Sequence, residues 1–94
     1  MSTITLYVTP DDIFHGEASD CSRCPIARAL NRRFPDREFD VYGFGAFWSS
    51  RKTTFLGETY FELDDRAREF IRAYDEGDEV KPSRFVLTET AVTA

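Results

Sequence analysis

Ninety-four residues, 41% of them apolar and nine of them Phe, suffice for one domain with one modest core. No run of about 18 apolar residues occurs, which excludes a helical membrane span, and the start Met1-Ser2-Thr3-Ile4-Thr5-Leu6 lacks the basic and apolar regions of a secretory signal. The net charge of −5 argues against general nucleic-acid binding.

Thr3–Val8 alternates, with Ile4, Leu6 and Val8 on one side and Thr3, Thr5 and Tyr7 on the other, and so predicts a half-buried strand. Thr9-Pro10-Asp11-Asp12 then starts a short helix near 10–15: Thr9 caps it, Pro10 suits the first turn, the two acids complement the dipole and Gly16 ends it. A second helix is predicted near 24–34. Pro25 fits its first turn, Ser22 or Cys24 its cap, and Ile26, Ala29, Leu30 and Phe34 form one apolar stripe that Pro35 stops.

Arg37–Tyr42 alternates again, Phe39 and Val41 against Glu38, Asp40 and Tyr42, and the glycines 43 and 45 mark a turn into a hairpin partner over Phe47–Ser50. Ser49–Glu62 has the weakest pattern; Phe55-Leu56 and Tyr60-Phe61 read as short strands or a loop packed on the core. Leu63–Tyr74 carries the clearest helical stripe (Leu63, Ala67, Phe70, Ile71, Tyr74), with Asp64 as cap and Gly77 as stop, which places a helix near 64–75. A last strand is expected near 83–88, its start set at an edge or bend by Pro82, followed by a frayed tail over 90–94. Together these define a single α+β domain over 1–94: two layers, a mainly antiparallel sheet of about four strands, and the two main helices on one face.

Charge is unevenly placed. Residues 23–52 hold seven basic and three acidic side chains, whereas 58–79 hold nine acidic and three basic. Such a two-signed surface suits a protein partner or head-to-tail self-association, and is also what an ordinary solvated surface looks like.

The chemistry concentrates in Cys21-Ser22-Arg23-Cys24-Pro25. At the start of a helix, backbone N–H groups favour a thiolate, so the pair is a candidate redox dithiol. A thioredoxin-like arrangement is opposed by the dozen or so intervening residues after the first strand, where that fold keeps a short loop. As a metal site the two thiols would need His15 and a further ligand, with zinc the natural ion. The third reading is two small thiols that shape the loop–helix junction. His15-Gly16-Glu17 does not make a zinc-deaminase signature, because only three residues separate it from the Cys pair.

The second candidate is aromatic: Tyr42, Phe44, Phe47 and Trp48 around two glycines, side chains that either anchor interfaces or fill the core. Arg28 and Arg32, four apart on a second face of the Cys helix, join them as interaction candidates from the basic half. No phosphate-binding loop and no Ser-His-Asp or Cys-His triad is present.

The pattern Thr9-Pro10-Asp11-Asp12-Ile13, Gly16, Cys21-Ser-Arg-Cys24-Pro25-Ile26-Ala27-Arg28-Ala29-Leu30, Phe70-Ile71, Tyr74-Asp75-Glu76-Gly77 and a closing Val80-Lys-Pro82 with Phe85 resembles a group of small uncharacterised proteins of actinobacteria and their bacteriophages. The resemblance covers most of the chain except 43–62. It implies a cytoplasmic protein, cellular or phage-encoded, and brings no activity with it. The expected function is a non-enzymatic interaction module without a cofactor, binding a host protein if the chain is a phage product. The alternative is a thiol-redox or zinc-binding protein that uses Cys21 and Cys24.

Overall fold

The computed structural model describes residues 3–50 and 59–91. Strand β1 (Thr3–Val8) runs into helix α1 (Pro10–His15), then α2 (Pro25–Arg33), a meander β2 (Arg37–Val41), β3 (Gly45–Ser50) and β4 (Thr59–Leu63), helix α3 (Asp65–Asp75) and β5 (Ser83–Ala91). The helix starts follow local chemistry. Thr9 and Asp12 form a reciprocal capping box on α1, the Asp64 carboxylate accepts the Ala67 N–H at 2.7 Å to cap α3, and Pro10 and Pro25 each occupy a first turn. Gly77, at φ +83°, supplies the left-handed residue that closes α3. Gly16 is required for a different reason. A Cβ there would lie 2.7 Å from the Asp12 carbonyl oxygen and 2.9 Å from Pro25, so only glycine lets α1 end against the start of α2.

The sheet has five strands, all antiparallel, in the order β1-β5-β4-β3-β2. One strand exceeds the sequence expectation. Thr59–Leu63 pairs with β5 along its length, and β5 itself continues past Thr88 to Ala91, so Thr90 lies in the ladder opposite Tyr60 and not in a frayed tail. Phe55 and Leu56 lie outside the described residues. Pro82 immediately precedes an interior strand, where its missing N–H breaks no ladder bond.

Helix α2 packs across β1 and β2 and α3 across β4 and β5, both on one face of the sheet. The core between the layers gathers Leu6, Val8, Ile26, Leu30, Phe39, Phe61, Leu63, Ile71, Phe85 and Leu87, all buried. Each apolar stripe named from the sequence therefore points inward, and alternate residues such as Thr5, Tyr7, Glu38, Asp40, Arg84 and Val86 stand on the opposite, outer face.

Candidate functional site

Only one of the two cysteines sits at a helix start. Cys24 is the N-cap of α2, and its Sγ accepts the Ala27 N–H at 3.4 Å. It is 4% exposed, and burial pushes its thiol from an ordinary 9.0 up to about 11 against the pull of the helix N–H groups. The expected activation by the helix terminus is thus overridden by desolvation. Cys21 lies outside the helix in a turn. Its carbonyl accepts the Val41 N–H at 2.7 Å along the edge of β2, and its partly exposed Sγ approaches Asp40 Oδ1 at 3.8 Å.

The turn is built by Asp20, whose carboxylate accepts from the Ser22 N–H and hydroxyl at 3.0 and 2.9 Å. Ser19, in a left-handed conformation at φ 59°, donates its N–H to Asp75 at 2.8 Å and so docks the loop on the end of α3. Both thiols line a cleft of about 630 Å³ together with Asp20, Tyr42, Arg68 and Asp75. His15 does not join them. It is exposed at the end of α1, edge-to-face with Phe14 at 5.0 Å, and among the described residues no three His, Cys, Asp or Glu side chains come together as a metal site.

Arg32 is committed to the fold. It donates to the buried carboxylate of Asp12 at 2.7 Å and to the Tyr7 carbonyl at 3.0 Å. Arg33 donates to the Thr5 carbonyl at 2.8 Å, so two arginines of one helix turn cap the open edge of β1. Arg28 lies beside the same carboxylate, with Nε 3.9 Å from Asp12 Oδ1. The double role of Asp12 has a sequence signal in the Thr9-x-x-Asp12 spacing of a capping box. Its ion pair has none, since it depends on how α1 meets α2.

The aromatic segment divides between the two faces of the sheet. Trp48 turns inward and packs on Phe39 and Phe61 at 5.7 and 4.9 Å. Phe47, its neighbour on β3, turns outward and stacks on Tyr60 of β4 at 4.8 Å with the rings 13° from parallel. Tyr42 and Phe44 meet the Phe47 ring edge-on, each at 5.8 Å. Gly45 makes room for this: a Cβ there would be 3.0 Å from the Tyr60 ring. Tyr42 and Phe44 remain 47% and 54% exposed. Asp40 is the register partner of Phe47 and Glu62 that of Gly45, which sets two acidic residues beside the rings; Glu62 is ion-paired with Arg68 at 3.3 Å. Tyr60, which the sequence marks only as part of a short strand or a loop packed on the core, completes the cluster on the outer face.

No family model, no curated protein and no solved structure matches the chain. Among the described residues no helix is long and apolar enough to cross a membrane.

Proposed function

We propose that this chain is a protein-interaction module whose docking surface is the outer sheet face around Phe47, and that its partner presents a basic segment. The observation that carries the reading is the four-ring cluster of Tyr42, Phe44, Phe47 and Tyr60, standing on the face opposite both packed helices with two of its rings about half exposed. Aromatic side chains of this kind supply large, rigid contact area and dominate interface energies. Ring faces also attract cations, and Asp40, cross-strand from Phe47, adds complementary charge. Were the chain phage-encoded, an origin the resemblance implies, a host protein would be the partner of such a surface.

The thiol alternative has less support. A buried thiol held as a helix cap and pushed up to about 11 is a poor nucleophile and a poor metal ligand at neutral pH. The test is a panel of immobilised peptides graded from Lys/Arg-rich to Asp/Glu-rich, probed with the wild type and with a Tyr42→Ser/Phe44→Ser variant. Retention on the basic members that weakens with salt and is lost in the variant supports the reading. Equal retention across the panel, or by both proteins, contradicts it.

A further inference from the structure

We infer that the cleft between α1 and α2 binds the oxyanion of a small molecule, a phosphate or carboxylate group, with the Arg28 guanidinium as its main donor. The cleft measures about 630 Å³ and is lined by His15, Ser22, Arg23, Arg28, Asn31 and Arg32, with Asp11, Asp12 and Glu17 as the acids. It lies in the helical layer, away from the aromatic sheet face, and the inference is independent of the function proposed above.

The cations of this cleft are not equally engaged. Arg32 has the Asp12 Oδ1 at 2.7 Å, and the Thr9 N–H takes Oδ2 at 2.9 Å, so both oxygens of that carboxylate are occupied. Arg28 reaches the same Oδ1 only to 3.9 Å, beyond hydrogen-bond range. Its Nε is buried without a hydrogen-bond partner, and its guanidinium donates to no described residue. The side chain is nevertheless 39% exposed and faces the cleft. Two guanidinium groups thus share one carboxylate, and the second keeps its planar fork of N–H donors unmatched. That fork fits carboxylate and phosphate oxygens two at a time. Arg23 stands alongside, paired among the described residues only with Glu17, at 3.5 Å with both side chains more than half exposed, a pairing that an incoming anion can displace. Asn31 adds a neutral donor, whereas Asp11 and Glu17 oppose an anion and set the affinity low.

The experiment titrates inorganic phosphate and acetate separately into isotope-labelled protein, with ionic strength held constant by sodium chloride, and follows NMR shifts. The expected result is a saturable shift confined to residues 22–32 and the His15 ring, and the tighter of the two anions assigns the head group. Arg28→Lys keeps the charge but removes the fork and is expected to weaken binding at least about fivefold. Asp11→Asn removes an opposing charge and is expected to tighten it about twofold. Arg37→Gln, on an arginine that stacks on Phe34 and Trp48 instead, leaves the affinity unchanged. Should Arg28→Lys fail to fold, Arg23→Gln and Asp11→Asn decide, since both change exposed groups. No saturable response beyond chloride, or affinities that none of these cleft substitutions moves, overturns the inference.

Discussion

Arg32 and the buried carboxylate of Asp12 lie 2.7 Å apart, on helices whose sequence positions are twenty residues distant. The pair joins three elements, because the same carboxylate caps α1 and the same guanidinium caps the edge of β1. Asp12→Asn is expected to cost about 2–4 kcal/mol in urea denaturation, because it strips the charge partner from Arg32 and leaves a buried site unevenly bonded. The effect depends on pH. Burial alone would raise the Asp12 pKa, but the hydrogen bonds from Arg32 and Thr9 and the Arg32 charge outweigh it and hold the group below 3.8. A carboxyl with a depressed folded pKa contributes fully above its unfolded value and loses that contribution as pH falls through the folded one. Wild type and variant should therefore differ most near neutrality and converge in acid; a constant difference down to strongly acid pH would contradict the role given to Asp12.

Leu30 is fully buried between α2 and the sheet, in one cluster with Ile26, Phe70, Ile71 and Phe85. Leu30→Ala should cost about 2–5 kcal/mol, the span for truncating a core leucine. A loss under about 1 kcal/mol would mean that the α2 stripe does not pack as described.

Cys24 and Cys21 should differ in reactivity. Alkylation of the native protein is expected to modify Cys21 alone, with Cys24 reacting only as the chain unfolds. Because burial raises the Cys24 pKa from 9.0 to about 11, its contribution to stability is complete below 9 and is lost as pH rises through 11. Rapid modification of Cys24 at neutral pH, or a stoichiometric metal in native mass spectra, would instead favour the thiol-based reading.

The edge of β1 gives a prediction about association. Arg33→Ala frees the Thr5 carbonyl that Arg33 now occupies. Stability should change little, since the side chain is exposed, but sedimentation should show more self-associated species than for the wild type. An unchanged distribution would mean that the edge needs no such cover.

Local chemistry was the most legible part of this chain. Thr9, Pro10, Pro25, Asp64 and Gly77 act within a few residues of themselves, so their caps and stops could be named from sequence and lie where expected. Period-two patterns likewise gave the inward faces of β1, β2 and β5. The strand Thr59–Leu63 was harder to see, because its five residues become a strand through pairing with β5, some thirty residues later. Adjacent Phe47 and Trp48 had to face opposite ways, but which of them faces the core depends on Phe39 and Phe61 from other strands. The thiols show a competition between two effects. The helix start favours a thiolate, yet burial, set by tertiary packing, wins at Cys24.

Binding of a partner's basic segment at the outer sheet face around Phe47 is the step on which the proposed function stands. Its most direct measurement is an NMR titration of the labelled protein with the best-retained basic peptide, run in parallel on the Tyr42→Ser/Phe44→Ser variant. The expected result is shifts concentrated at Tyr42, Phe44, Phe47 and Tyr60, little change along α2, and binding at least about tenfold weaker in the variant, equivalent to about 1.4 kcal/mol. Shifts that map to the helical face, or equal affinity for the two proteins, would contradict it.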